Sequence, residues 1–250
     1  MHEITNSLLR DARNKLHPEL LLRVRSLAQL GEYGELCGWD YDAIQLYFQK
    51  HPHIETAYNW LLQHRVSDAM PTAFAVPYLH PEFCKQLVLE VHDKGFAPNE
   101  YEDQAYQIDE LVTEHEVPEL FSILQAVFDI GMRPVLMCSH MQEPAEVRSI
   151  QFAKYNPDGV SHGNWHHDAD SDQTVVVALN TGEFTGGGTE LALDLNHCIE
   201  VSPLPVGHAL IFLGKTTLHR GLYVPEGDRM LLVHWTELKG PIDYSEVSIQ

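Results

Sequence analysis

Five short runs of strand-like residues constrain the fold more than any other feature of this chain. Some alternate polar with apolar side chains and others are nearly continuous in apolar, often β-branched residues. Turn-forming clusters separate them, such as residues 156–159 and the glycines at 186–188. Short strands separated by Gly- and Pro-containing turns are typical of a β-sandwich or barrel. The runs cover residues 149–155, 174–180, 189–195, 208–213 and 229–235.

Two histidines and one aspartate close to these runs form a metal-ligand pattern. His166 and Asp168 are two residues apart, so on a strand both side chains would point to one face. His219 follows Asp168 by 51 residues, far enough for another strand to bring a third ligand. Two histidines and a carboxylate with open coordination positions are typical of non-haem Fe(II) oxygenases. A solvated loop is the alternative, because the chain has 16 histidines and further aspartates follow at 170 and 172.

Arg229 adds a second functional group. It follows His219 by ten residues, in the last strand run. Its planar guanidinium offers the paired donors that a carboxylate accepts. A dicarboxylate cosubstrate beside the metal is therefore expected, which indicates an iron- and 2-oxoglutarate-dependent dioxygenase. Imidazole and carboxylate also bind zinc, so composition alone leaves a zinc hydrolase open, and Arg229 is the residue that favours iron.

Several motifs, in this order along the chain, resemble the catalytic domain of procollagen lysyl hydroxylases and its prolyl hydroxylase relatives. The similarity extends over about residues 72–238. Arginine at the tenth position after the distal histidine favours the lysyl branch. The motifs are residues 76–84, 152–159, 165–169, 177–180, 186–189, 219–221 and 227–229.

The resemblance implies a mainly β fold with flanking helices, in which the core is a double-stranded β-helix, or jelly roll. It implies that His166, Asp168 and His219 ligate Fe(II) and that Arg229 pairs with the distal carboxylate of 2-oxoglutarate. O2 is the expected oxidant, with ascorbate as a candidate stimulant.

Three further cosubstrate or pocket residues are implied by the same resemblance. Tyr155 stands where the prolyl hydroxylase relatives hold the cosubstrate with a tyrosine. Thr189 matches a threonine of those relatives, and it departs from the cysteine of the lysyl branch. Asn180 is a candidate for the iron-proximal pocket. The alternative for each is a hydrogen-bonded polar residue within a strand.

These residues predict a hydroxylase that acts on a lysyl or related side chain in a peptide or protein. One rival is the same chemistry on a free amino acid or another small molecule. Another is a non-catalytic cupin-like binding protein, against which the intact ligand set argues. Substrate choice is expected to lie in loops near residues 95–115 and 158–165.

The formal charge of −20 limits the class of partner. It disfavours nucleic acid and anionic membranes and favours cationic or neutral substrates. One hypothesis is that acidic residues near the mouth of the site attract a lysine-bearing substrate, but a solvated acidic surface is the favoured interpretation. They are Glu100, Glu102, Asp103, Asp109, Glu110, Glu114, Glu116 and Glu119.

The cysteine pattern predicts a reducing compartment. The four cysteines lack Cys-x-x-Cys spacing and read as free thiols. The first residues lack a hydrophobic leader core, and we find no run of about 18 apolar residues. The expected location is cytoplasmic, which makes collagen itself a doubtful substrate.

Residues 1–70 are expected to form a helical N-terminal extension before a dioxygenase domain at 71–250. Leu20, Val24 and Leu27 recur at helical spacing. About three helices are predicted, separated by the Gly31–Gly38 stretch and by Pro52, with Asp40 or Asp42 as a cap. Docking of a partner or formation of a homo-oligomer are candidate roles. A further helix is predicted between residues 108 and 141.

Overall fold

The structure, a computed structural model, describes residues 11–98 and 107–239. The helices in this part are α1 Pro18–Leu21, α2 Val24–Cys37, α3 Tyr41–Lys50, α4 Pro52–Leu62, α5 Pro81–His92, α6 Thr113–Glu116 and α7 Pro118–His140. The strands are β1 Arg65–Ser67, β2 Met70–Pro77, β3 Ala97–Pro98, β4 Asp109–Val112, β5 Pro144–Tyr155, β6 Gln173–Ala178, β7 Thr189–Ala192, β8 Cys198–Val201, β9 His208–Phe212, β10 His219–Gly221 and β11 Arg229–Leu238.

Two antiparallel sheets face each other and form the core. The larger has eight strands in the order β1-β2-β9-β6-β11-β5-β4-β3, and the smaller has three in the order β10-β7-β8. Leu191 and Val201 of the small sheet pack with Leu210 and Phe212 of the large one. This arrangement confirms the predicted jelly-roll core with flanking helices. Each of the five strand runs lies within or overlaps a strand: β5, β6, β7, β9 and β11.

Strand β11 fixes which side chains face the space between the sheets. It lies between β5 and β6, with Arg229 opposite Tyr155 and Trp235 opposite Thr174. Successive side chains of a strand point to opposite faces. Arg229, Leu231 and Val233 therefore face the small sheet, and the residues between them face the helices.

The helices cover the other face of the large sheet. Buried residues of α2, α4 and α7 belong to one hydrophobic cluster with residues of β5, β6 and β11. The helical extension therefore shares its core with the barrel. The proposed boundary near residue 70 falls at the start of β2, and the division into two domains stays a prediction.

Helix α7 is long and apolar enough, by length and composition alone, to cross a membrane, although no apolar run of about 18 residues was expected from the sequence. Half of its most apolar window is buried inside the structure. Phe128, Val135 and Leu136 are fully buried in the shared cluster. This burial is that of a core helix packed on a sheet.

Two details of the helices differ from expectation. Residues 109–112, which we expected to begin the helix before the barrel, form β4, because they pair with residues 151–154 of β5. Gly31 and Gly34 lie inside α2 rather than between helices, and the left-handed Gly38 ends it. The expected cap at Asp40 is confirmed, since its carboxylate accepts the N–H of Ala43 at 2.9 Å.

We predict that acid destabilises this fold through His234. Its ring is fully buried, 5.6 Å from the ring of Phe128 and 6.0 Å from that of Tyr78. Burial lowers the pKa of His234 to about 3. The unfolded chain takes up a proton near pH 6.5, so the stability present above that pH falls steadily towards pH 3, by about 1.4 kcal/mol per pH unit.

His234→Phe should remove this contribution. Between pH 7 and pH 5, its urea midpoint should fall less than that of the unsubstituted protein. His53→Phe, at an exposed histidine, is the matched control and should retain the full acid dependence. Equal losses in all three proteins would contradict the assignment.

Candidate active site

Three ligand atoms meet between the sheets. Asp168 Oδ1 lies 3.5 Å from His166 Nε2 and 3.7 Å from His219 Nε2. One ligand atom from each residue falls within 4.8 Å of the others. The structure thus brings together the three predicted metal ligands.

The ligands converge because the backbones of His166 and His219 pair with each other. The sequence had instead suggested that His166 and Asp168 share a strand. His166 and His219 exchange two backbone hydrogen bonds of 2.9 Å as an isolated antiparallel bridge. Asp168 lies in the loop that follows, where its N–H donates to the carbonyl of Gly214 at 3.1 Å. His167, which lies between the two ligands in the sequence, is exposed.

Both histidine rings are oriented for metal binding through Nε2. The Nδ1 of His166 lies 2.8 Å from the carbonyl of Asn164, and that of His219 lies 3.0 Å from the carbonyl of Thr217. A carbonyl only accepts, so each Nδ1 carries the proton and Nε2 keeps its lone pair for a metal. Such outer hydrogen bonds are typical of metal-ligating histidines.

Asp168 is held in the same way. Its Oδ2 accepts a hydrogen bond of 2.6 Å from Thr174 Oγ1, which leaves Oδ1 towards the histidines. A Cβ at Gly214 would stand 2.4 Å from that hydroxyl oxygen, so a glycine is required for this close approach. Two imidazole nitrogens and one carboxylate oxygen, Oδ1, can therefore bind a divalent ion and leave its other coordination positions open.

Electrostatics keeps the ligands in the protonation states that a metal requires. Burial acts to raise the pKa of Asp168, but its contacts with His166 and His219 and the hydrogen bond from the Thr174 hydroxyl outweigh it, so the pKa lies below its ordinary value. Burial lowers the pKa of His219, although Asp168 opposes the shift. An ionised carboxylate and a neutral imidazole are both metal-binding forms.

Arg229 supplies the anion-binding end of the site. It is 5% exposed, and its Nη1 donates to the carbonyl of Gly188 at 2.8 Å. Its guanidinium lies 5.5 Å from the ring centre of Tyr155. Burial lowers its pKa, but an arginine remains a cation in a protein. Within residues 11–98 and 107–239 we find no carboxylate at ion-pair distance from Arg229.

One cavity joins these two ends. Tyr155 and Thr189, both predicted as cosubstrate residues, line it beside the metal ligands and Arg229. Trp235, six residues after Arg229 and on the same face of β11, lines it too. The full lining consists of Ile108, Gln151, Ala153, Tyr155, His166, Asp168, Thr174, Val176, Thr189, His219, Gly221, Arg229, Leu231, Val233 and Trp235.

Asn180 lies away from this lining. Its amide nitrogen donates to the carbonyl of Asp228 at 2.8 Å, and its oxygen accepts the N–H of Met230 at 2.9 Å. The side chain thus fixes the backbone on both sides of Arg229. Asn180 therefore serves the site by positioning the arginine, and a direct contact with a ligand stays a prediction.

Sequence reasoning missed Thr174 and Gln151. Both stand in strand runs where the pattern indicates only a buried face. An even spacing from Tyr155 could have placed Gln151 on the cavity face of β5, as it does Ala153. Of the acidic residues expected near the mouth, Glu100, Glu102 and Asp103 lie outside the described residues.

The geometry can be compared with that of known proteins. The prolyl-4-hydroxylase of Pseudomonas putida has a TM-score of 0.55 at 18% identity, with 72% of this chain and 100% of that chain covered. A Burkholderia pseudomallei oxidoreductase of the 2-oxoglutarate–Fe(II) oxygenase family has a TM-score of 0.54 at 14% identity, with 73% and 89% covered. This chain has the fold of the 2-oxoglutarate- and Fe(II)-dependent oxygenases.

Other relatives of this oxygenase fold carry a substrate in their names. A Trichoplax adhaerens prolyl hydroxylase, solved with a hypoxia-inducible-factor peptide fragment, has a TM-score of 0.54 at 15% identity, with 72% and 90% covered. The multifunctional procollagen lysine hydroxylase and glycosyltransferase of Caenorhabditis elegans is 26% identical over 199 residues. That match covers 72% of this chain and 26% of the relative, so the chain spans about a quarter of its length. No family model matches the chain.

We predict that Thr174 sets the metal affinity of this oxygenase-fold site. Thr174→Val should remove the hydrogen bond to Asp168 and weaken binding by about 10–100-fold, as for other outer-shell partners. Titration with Mn(II) under anaerobic conditions measures this without turnover. Thr174→Ser retains the hydroxyl and should bind close to normally, and an unchanged affinity in Thr174→Val would exclude the role.

Proposed function

We propose that this protein is an Fe(II)- and 2-oxoglutarate-dependent hydroxylase that acts on a lysyl or related side chain in a peptide or protein. One observation carries the proposal: a facial His-Asp-His set and a buried Arg229 without a carboxylate partner in the described chain share one cavity. A buried arginine matched to a dicarboxylate cosubstrate favours this assignment over a zinc hydrolase, which requires no such cosubstrate. The named activities of the lysine hydroxylase relative and of the peptide-bound prolyl hydroxylase support a protein substrate.

The two polar ends of the cavity then have distinct roles. His166, Asp168 and His219 would hold Fe(II), and Arg229 would bind the distal carboxylate of 2-oxoglutarate next to Tyr155 and Thr189. When bound, these cofactors with O2 supply C–H hydroxylation and release succinate and CO2.

The cavity wall contributes exclusion of water. Apolar side chains of β6 and β11 surround the space between the two polar ends, namely Val176, Leu231 and Val233. A low local dielectric strengthens the pairing of Arg229 with a carboxylate. It also shields a reactive site from solvent.

The formal charge of −20 and the four cysteines support two further parts of the proposal, the charge of the substrate and the cellular location. A strongly acidic chain favours a cationic substrate over nucleic acid. All four cysteines are free. A cytoplasmic location, with a substrate other than collagen, stays our proposal.

Succinate release tests the reaction. Purified protein with Fe(II), 2-oxoglutarate, ascorbate and air should release succinate faster with a lysine-containing peptide than without it. Stimulation by free amino acids instead would move the substrate to small molecules. No succinate with any of them, despite bound iron, would favour a cupin-like binding protein and overturn the enzyme assignment.

We predict that the metal ligands are indispensable. His166→Ala and His219→Ala should each lower succinate release to background, because each removes one of the three ligands that fix the metal and its open positions. His167→Ala, at the exposed neighbour, is the matched control and should retain turnover. Full turnover in His166→Ala would show that the metal site lies elsewhere.

Arg229 should act on cosubstrate binding more than on metal binding. Arg229→Ala should raise the KM for 2-oxoglutarate by at least about tenfold, because charge-assisted hydrogen bonds to a buried carboxylate are lost. Its affinity for Mn(II) in the absence of 2-oxoglutarate should change little. Equal KM values for variant and unsubstituted protein would refute the assigned pairing.

A further inference from the structure

Strand β4 places one carboxylate on the active-site face of the large sheet. Glu110 is opposite Ala153 in the antiparallel pair of β4 and β5. Opposite residues of such a pair share a face. Ala153 lines the cavity, and so does Ile108, two residues before Glu110. Glu110 therefore points to the same side as the metal site, and its neighbour Asp109 points to the other.

This carboxylate is buried and contacts the cavity wall. Glu110 is 5% exposed, as is Gln151. Gln151 Nε2 lies 3.5 Å from Glu110 Oε1, and Gln151 itself lines the cavity. An amide that donates to Glu110 through nitrogen retains its oxygen as an acceptor. The two side chains together place a carboxyl group and an amide oxygen at this side of the cavity, with Gln151 in the wall and Glu110 in contact with it.

Within the described chain, every ionisable residue that lines the cavity already serves the metal or the cosubstrate. None of them remains to recognise a substrate. The metal pattern uses His166, Asp168 and His219, and the cosubstrate uses Arg229 with Tyr155. Glu110 stands outside both sets. An ammonium group has three donors and no acceptor, so a carboxylate beside an amide oxygen matches it.

We propose that Glu110, positioned by Gln151, binds the ammonium group of a lysyl substrate and makes the site selective for a cationic side chain. The inference rests on the proposed function and deepens it, because it assigns substrate charge selection to one residue. The acidic surface as a whole would attract any cation, whereas a buried carboxylate discriminates at contact distance.

Two matched peptides test the proposal, one with a central lysine and one with norleucine in its place. Calorimetry with Mn(II) and 2-oxoglutarate, without O2, measures their binding independently of turnover. The unsubstituted protein should prefer the lysine peptide by about tenfold or more, as expected for a charge-assisted contact. Glu110→Gln, which keeps the shape of the side chain, should abolish the preference, and Glu110→Asp should restore part of it.

Asp109→Asn is the control, because it removes the same charge from the other face of β4 and should keep the preference. If Glu110→Gln kept the same preference for the lysine peptide as the unsubstituted protein, the role of Glu110 would be overturned. The role would also be overturned if Asp109→Asn lost the preference to the same extent as Glu110→Gln. The proposed function fails separately, if no peptide stimulates succinate release in air. A binding preference that depends on Glu110 would then still support the ammonium site.

Discussion

The burial of two opposite charges in one cavity is the constraint on which this structure depends. Asp168 and Arg229 are each 5% exposed. A buried charge is costly unless neighbouring groups compensate it. Asp168 has two histidines and the Thr174 hydroxyl, whereas Arg229 has the Gly188 carbonyl and the face of Tyr155. At Asp168 these neighbours outweigh burial, so the ionised carboxylate is ready to bind a cation. At Arg229 burial still lowers the pKa, and a bound carboxylate would complete the compensation.

Strand β11 links this cavity to the hydrophobic core. Arg229, Leu231 and Val233 face the cavity, while Met230 and Leu232 belong to the core cluster under the helices. A shift of one residue in its register would exchange these two sets. Pairing on both sides, with β5 and with β6, prevents such a shift. The helices therefore stabilise the site without contributing a ligand, since their packing holds β11 in register.

The sequence was sufficient for the central strands but insufficient for the short strand β4 and for the contacts between strands. Alternation and turn residues predicted the central strands because a half-buried sheet imposes a period of two. The His166–His219 bridge was not foreseen, because its partners are 53 positions apart and pair in only one short bridge. Thr174 was indistinguishable from its β-branched neighbours, although its hydroxyl orients Asp168. Strand β4 was mistaken for helix because four residues carry too little periodicity, and its structure comes from pairing with β5.

The same limit applies to the acidic residues between 100 and 119. By sequence they form one cluster, but the described members do different things. Glu114 and Glu116 accept backbone N–H groups of Ile150 and Val112, and so serve the turn around α6. Glu110 alone stands on the cavity face beside Gln151. Because surface charges are screened beyond about 8 Å at physiological salt, local placement and not net charge determines which carboxylate can select a substrate.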